Sequence, residues 1–459
     1  MATTMAMALL RLALLAGAVA LLLPGAAEAR ILLSLDDFGA VGDGIADDTQ
    51  ALVDAWTAAC ASTNGHVVIH VPAGRSYQIW PVTLAGPCRD EIMIFVRPFL
   101  PSCRRVRFSC PACTHLRVVA HRVLVLCPCP AGQVSGNIIA PDSPEDWERR
   151  DGGRWLHFFQ VQDLTVSGGG VIDGRGQEWW AQACKGRHRN DKHCTAPDAP
   201  KALHFEECHG VRVQGVTLQN GQQHHLTFTR CSNARASFLR VASPESSPGT
   251  DGIHLVNSIS VHVNDIHIAT GGACVSMVGN CTDVRLRYVS CGPGNGISIG
   301  SIGETPVADR LEKIEVDTMF IANTSNGLLI KTWQDSCGYA RKVKFANVVM
   351  KNVSDPIIID QYRSEHPIPC GSTAATRTVA VEKIDYVNIA GTSASKRAVT
   401  FSCSDVVPCR QVSLKDVNLK RLSGRGASAY CRSASGKAAG VIVPESCLAG
   451  ARAAGDEEE

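Results

Sequence analysis

A chain of 459 residues with 45% hydrophobic and 19% charged residues can bury a large core, which excludes an intrinsically disordered chain. The formal charge of +2 offers no basic excess for nucleic acid, and it argues neither for nor against a polyanionic ligand, which needs only a local patch. The 41 Gly and 22 Pro imply many tight turns.

Met1–Ala29 carries Arg11, an apolar run from Leu12 to Leu23 and the small-residue ending Ala27-Glu28-Ala29. This is the pattern of a secretory signal peptide cleaved after Ala29, and the run is short for a membrane span, although an N-terminal anchor is the alternative. No later segment approaches a span, so a secreted, extracellular protein without a membrane partner is expected. In that setting the 20 Cys suggest disulfides, and no Cys/His cluster has the spacing of a zinc site, so neither metal nor cofactor is expected.

The mature chain opens with the turn-rich Asp36-Asp37-Phe38-Gly39-Ala40-Val41-Gly42-Asp43-Gly44. Asp47-Asp48-Thr49-Gln50 then heads an apolar-periodic segment reaching Cys60, which predicts one amphipathic helix with Asp48 or Thr49 as N-cap, closing one end of a longer β structure. Residues 96–132 stand apart: 37 residues with five Cys, six Arg and no acidic residue, whose removal would take the formal charge from +2 to −4.

Further on, short alternating runs recur. Leu203-His204-Phe205, Leu226-Thr227-Phe228, Ile253-His254-Leu255, Val275-Ser276-Met277 and Ile297-Ser298-Ile299 begin 23, 27, 22 and 22 residues apart. Leu328-Leu329-Ile330, Ile357-Ile358-Ile359 and Val399-Thr400-Phe401 continue the series, and second runs such as Val261-His262-Val263 and Val284-Arg285-Leu286 follow within units. Repeats of this length, β throughout, predict an all-β solenoid, a right-handed parallel β-helix with one turn per unit. A β-sandwich or propeller with irregular spacing is the alternative.

Four blocks lie in successive units: Gly249-Thr250-Asp251, Gly271-Gly272-Ala273-Cys274, Gly294-Asn295-Gly296 and Leu329-Ile330-Lys331. In order and separation they resemble the active-site blocks of the polygalacturonases, glycoside hydrolases that cut pectin, which read Asn-Thr-Asp, Gly-Asp-Asp-Cys, Gly-His-Gly and Arg-Ile-Lys. Asp36 to Gly44 is similar to the family's N-terminal phrase, and Gln222-Gln223-His224-His225 to a Gln-Gln-x-His segment facing the groove. The resemblance covers residues 30–455 as a single domain, apart from 96–132, with 456–459 an acidic tail. It implies that Asp251 is the one retained catalytic carboxylate, that Asn295 holds the histidine's place, and that Lys331, Gln223 and His225 contact substrate. Gly249, Gly272, Ala273 and Leu329 replace the asparagine, two aspartates and the arginine. Read without the family, Lys331 could equally be a solvated lysine, and Asn295 a turn asparagine.

The resemblance also implies a Cys274–Cys291 disulfide; Cys403 with Cys409 and Cys431 with Cys447 are further candidate pairs. The sequons at Asn280, Asn323 and Asn352 are candidate glycan sites. Because the family runs uninterrupted from Glu91-Ile92-Met93-Ile94-Phe95 into Gln133 to Pro141, residues 96–132 read as translated intron inserted in mid-strand, or else as a basic, cysteine-rich loop for an anionic partner.

Inverting glycosidases use two carboxyl groups about 6.5–9.5 Å apart, one to protonate the leaving oxygen and one to activate water. A lone Asp251 cannot fill both posts. The expectation is a secreted, monomeric pectin-binding protein that holds homogalacturonan with little or no hydrolysis. The alternatives are an active polygalacturonase that recruits other carboxylates, Asp265 and Asp283 being in neighbouring units, and a structural or non-functional product.

Overall fold

Most of the triplets have one apolar side chain on each side of a polar one, and in a strand the flanking pair turns inward while the middle residue turns out. The computed structural model shows what this pattern builds. It describes residues 31–63, 65–89, 91–96, 136–147, 153–183, 199–302, 308–333, 336–363 and 378–450; residues 1–29, expected to be a signal peptide, nearly all of 96–132 and 456–459 lie outside them.

The chain winds as a right-handed parallel β-helix. One sheet stacks eleven parallel strands: β1 (Val82–Ala85), β2 (Arg154–Phe159), β3 (Lys201–Glu206), β4 (Leu226–Thr229), β5 (Ile253–Val256), β6 (Val275–Val278), β7 (Ile297–Ile302), β8 (Asn326–Trp333), β9 (Asp355–Arg363), β10 (Arg397–Ser402) and β11 (Ser428–Arg432). The second runs, such as Ile259–Ala269 and Thr282–Cys291, form the remaining walls, with Val261 paired to Val284. The predicted triplets stand in register without a slip: Leu203 on Leu226, Leu226 on Ile253, Ile253 on Val275, Val275 on Ile297, Ile297 on Leu328, Leu328 on Ile357 and Ile357 on Val399.

Each inward position becomes a row through the core. Phe158, Phe205 and Phe228 stack with centroids 5.1 and 5.4 Å apart, and Leu255, Met277, Ile299, Ile330, Ile359 and Phe401 extend the row. Corners are turned by single residues in the left-handed region, which accommodates Asn and Asp better than most side chains: Asp265, Thr318, Asn347 and Asn388 do so on one edge, Asp283 on another. Asp265 and Asp283 are thus corner residues of other walls, remote from the eleven-strand face. Asn352 donates to Asn323 Oδ1 at 2.9 Å, so two of the three sequons share a ladder between turns.

The helix α1 spans Thr49–Ala61 and buries Ala51, Leu52, Ala55, Trp56 and Ala59 on one stripe against the first turns, with Trp56 edge-on to Phe158 at 5.5 Å. Asp48 occupies the N-cap but its carboxylate does not cap the helix; it accepts the amides of Val41 (2.6 Å) and Gly42 (3.2 Å) and so closes the turn-rich entry. A further short helix, Gln177–Ala183, was not legible in the periodicity.

Disulfides join Cys274 to Cys291, Cys403 to Cys409 and Cys431 to Cys447, as expected, and also Cys60 to Cys88, which ties the end of α1 to the strand layer. Among the described residues Cys208, Cys231 and Cys281 are buried thiols, with Cys208 and Cys231 hydrogen-bonded to backbone carbonyls.

The expectation of a mid-strand insertion is corrected. Ile92–Val96 is a complete strand paired with Val67–Val71 and Leu164–Gly168, and Asn137–Ile139 pairs with Ser76–Gln78 and Val171–Asp173. The equivalent corners in the adjacent turns take residues 72–75 and 169–170. Val96 O accepts the amides of Gly169 and Gly170, and Gly136 O accepts that of Val171, so the chain leaves and rejoins one corner with its ladder intact.

Because Phe205 is fully buried in the aromatic row, Phe205→Ala is expected to destabilise by about 3–5 kcal/mol, while Phe238→Ala, at a two-thirds exposed corner, should stay within about 0.5 kcal/mol. Urea midpoints of the two variants check this; equal shifts would contradict the stacking.

Candidate functional site

Parallel register brings residues one unit apart to about 4.8 Å of each other, and it carries the four blocks to one face. Cys274 N–H donates to Gly296 O at 2.8 Å and Gly252 N–H to Ala273 O at 2.8 Å, locking the first three blocks together, and β7 pairs with β8 to add the fourth. The result is a cleft of about 950 Å³ lined by Asp251, Ala273, Asn295, Leu329 and Lys331 among others.

The outward column of the strands reads His157, His204, Thr227, His254, Ser276, Ser298, Leu329, Ile358, Thr400, and the cleft opens over it from His254 onward. Its first end is buried and polar. Glu206 there accepts from Arg230 (2.5 Å) and lies 3.2 Å from Arg154 and 3.0 Å from His157 Nε2, which consumes its carboxylate. Farther along, Leu329 and Ile358 make the column apolar.

Asp251 sits in the middle. Its Oδ1 accepts the Ala273 amide at 2.7 Å and its Oδ2 accepts the Ser276 hydroxyl at 2.5 Å. Ser276 Oγ is in turn 2.7 Å from His254 Nδ1, and the His224 and His254 rings are 4.0 Å apart between centroids. Burial, followed by the charge of Lys201 and His225, holds His224 down to about 3. Burial and then His224 push His254 well below the ordinary histidine range. Both rings are therefore neutral.

A Cβ at Gly272 would fall against Asp251 Oδ1 and meet the Asp251 backbone nitrogen at 2.8 Å, so Asp251 fills the space a side chain at 272 would need. At Gly249 (φ +68°) a Cβ would meet nothing within 4 Å. Asn295 is tied to its turn, accepting from Ser325 Oγ at 2.7 Å.

The Gln-Gln-x-His segment is corrected. His225 is buried, donates from Nδ1 to the Asp251 carbonyl oxygen at 2.9 Å and accepts from Ser243 Oγ at 2.7 Å through Nε2, so it positions the Asp251 backbone and does not face the cleft. Gln223 is not among the lining residues, and Gln222 is fully buried. The cleft residue of that segment is His224. Sequence reading also missed His254, Ser276, Asp355, Asp360 and Arg397, all on the lining; the middle positions of the triplets were the available signal for His254 and Ser276.

Asp355 and Asp360 do not restore a carboxyl pair. Asp355 stands four rungs from Asp251 along the row Ala273, Asn295, Asn326, roughly 19 Å at the rung spacing and far outside the 6.5–9.5 Å range. Asp360, paired with Lys331, lies farther along β9, about 16 Å from Asp355 at the rise of a strand.

Comparison with known proteins gives this face its context. The model of glycosyl hydrolases family 28 matches residues 60–440. The chain belongs to that family. A probable polygalacturonase of Arabidopsis thaliana is 38% identical over 418 residues, covering 91% of this chain and 84% of its own. A polygalacturonase of Persea americana is 36% identical over 399 residues, covering 87% and 76%. Among solved structures, polygalacturonase from Erwinia carotovora matches at TM-score 0.62 and 18% identity over 87% of this chain and 94% of its own, and endo-xylogalacturonan hydrolase from Aspergillus tubingensis at 0.62 and 18% over 93% and 99%. These structural likenesses establish the fold of this family 28 member.

His204, buried in the column and held down to about 2 by burial and then by Lys201, generates a pH prediction. Its folded value is depressed below the unfolded one near 6.5, so unfolding takes up a proton and stability falls as pH drops from about 6.5 toward 2. His204→Asn is expected to flatten the melting-temperature profile over that window, by up to about 1.4 kcal/mol per pH unit, with little change above pH 7. Thermal melts from pH 3 to 8 check it; parallel profiles would refute it.

Proposed function

We propose that this family 28 protein is an extracellular pectin-binding protein that has lost hydrolytic activity. The observation that carries the reading is the isolation of Asp251: the lining carboxylates nearest in kind, Asp355 and Asp360, are too far along the solenoid to act with it, and the positions beside it are Gly272 and Ala273. General acid or base groups typically contribute about 10²–10⁴ in rate, so absence of the proton donor removes most of the catalysis.

Ligand binding rests on the retained length of the groove and on two cations, Lys331 and Arg397, facing it. Opposed by Asp251, Asp355 and Asp360, they do not make a basic patch. Recognition of galacturonate carboxylates is therefore local, at these two side chains. Burial pushes Asp355 upward against the pull of Arg397, which eases an acidic ligand at that end. Secretion agrees with the four disulfides joining described residues.

Purified protein is expected to release reducing ends from polygalacturonate at least about a hundredfold more slowly than an active relative. It should bind immobilised homogalacturonan, with Lys331→Ala weakening binding roughly tenfold. Turnover at a relative's rate would refute the loss of activity; absent or Lys331-independent binding would refute the binding role and favour a structural product.

Putting the carboxylates back tests the packing account. Gly272→Asp is expected to cost about 1–3 kcal/mol, because its Cβ meets Asp251 backbone, whereas Ala273→Asp, on the lining, should cost less. Melting temperatures decide between this and an open, empty aspartate site, for which both substitutions would be neutral.

A further inference from the structure

The cleft holds a set of donor atoms that sugar hydrolysis does not use. His224 Nε2 and His254 Nδ1 lie 3.9 and 3.8 Å from the same atom, Asp251 Oδ2, and one ligand atom from each of the three residues falls within 4.8 Å of the others. Donors sharing a zinc-like ion at bond lengths of about 2.0–2.2 Å stand roughly 3–4 Å apart. We propose that His224, Asp251 and His254 form a binding site for a divalent transition-metal ion of the zinc class, open to the cleft.

Three observations carry the assignment. The donor set is two imidazoles and one carboxylate, which suits Zn²⁺, Co²⁺, Ni²⁺ or Cu²⁺ and not Ca²⁺ or Mg²⁺, whose sites are built of oxygen. Among the described residues neither nitrogen of His224 has a hydrogen-bond partner, and Nδ1 is fully buried, so the ring is positioned without any bond that a metal would have to break. The carboxylate is oriented from behind by the Ala273 amide on Oδ1, the kind of outer contact that holds a metal ligand in place. The Ser276 hydroxyl now bridges Asp251 Oδ2 and His254 Nδ1, and the ion would take its place as the hydroxyl rotates aside.

The other histidine–carboxylate group, His157, His204 and Glu206, does not qualify, because Arg154 and Arg230 already occupy Glu206. Ser276 is serine and Ala273 is alanine, so no second carboxylate competes for the ion from the next rung. The site does not depend on galacturonan binding, and it is tested with the ion alone.

The full chain, stripped with a chelator, is titrated with Zn²⁺ against a chromophoric zinc chelator. One bound ion per chain is expected, unaffected by excess Mg²⁺ or Ca²⁺, and Co²⁺ should give the visible absorption of a nitrogen- and oxygen-ligated ion. His224→Gln and His254→Gln should each weaken Zn²⁺ by at least about tenfold. Absence of stoichiometric binding, equal competition by Ca²⁺, or unchanged affinity in both variants would overturn the site. Should a variant fail to fold, a zinc-dependent rise in the melting temperature of the unsubstituted chain, together with protection of a histidine from diethyl pyrocarbonate mapped to His224 or His254, supports it; no rise, or protection mapping elsewhere, refutes it.

Discussion

Each strand residue inside this solenoid has as its nearest non-local neighbours its own equivalents one turn earlier and one turn later, about 4.8 Å away. That single spacing decides the core, the corners and the cleft together. Inward it makes the continuous row from Phe158 through Phe205 and Phe228 to Phe401; at the corners it makes the Asn323–Asn352 ladder; outward it makes a chemical column in which each rung conditions the next. A change at one rung is therefore answered at an adjacent rung. Gly272 leaves space beside Asp251, and the Asp251 carboxylate occupies it and takes the Ala273 amide as its donor.

The same spacing makes the outward column uneven along its length. At the β2–β3 end, Glu206, His157 and two arginines form a closed polar cluster in which every charge has a counter-charge. In the middle, two neutral imidazoles flank one carboxylate. Toward β9 and β10 the floor turns to Leu329, Ile358 and Thr400 with Lys331 and Arg397 at its sides. A polymer of acidic sugars would meet cations only in that last third.

The repeat was legible because its signal is periodic: triplet after triplet from Leu203 to Val399 entered the sheet in the register the sequence spacing implied, and α1 ended within one residue of its expected end. Three disulfides were legible because each joins cysteines of one or two adjoining turns. Cys60–Cys88 was not, since it links a helix to a turn across unlike elements. The Gln222–His225 segment was misread for a related reason. It is a turn with no alternation to say which histidine faces out, and His225 went inward because its two nitrogens found Asp251 O and Ser243 Oγ there. Asp48 failed as a helix cap because two amides of the entry loop compete for the same carboxylate.

Rung spacing also sets which chemistries the face can host. Inverting hydrolysis needs carboxyl groups about 6.5–9.5 Å apart, a span of nearly two rungs, so it depends on side chains from separate turns being ionisable at once. Residues 272 and 273 are Gly and Ala, and the row beyond Asp251 offers nothing ionisable until Asp355. A metal site needs donors only about 3–4 Å apart, which fits within a single rung step. His224 stands one rung before Asp251, since Leu226 pairs with Ile253, and His254 lies three residues beyond Asp251 on β5. The arrangement of His224, Asp251 and His254 thus needs no carboxylate at 272 or 273, and Asp251 Oδ2 faces two imidazoles.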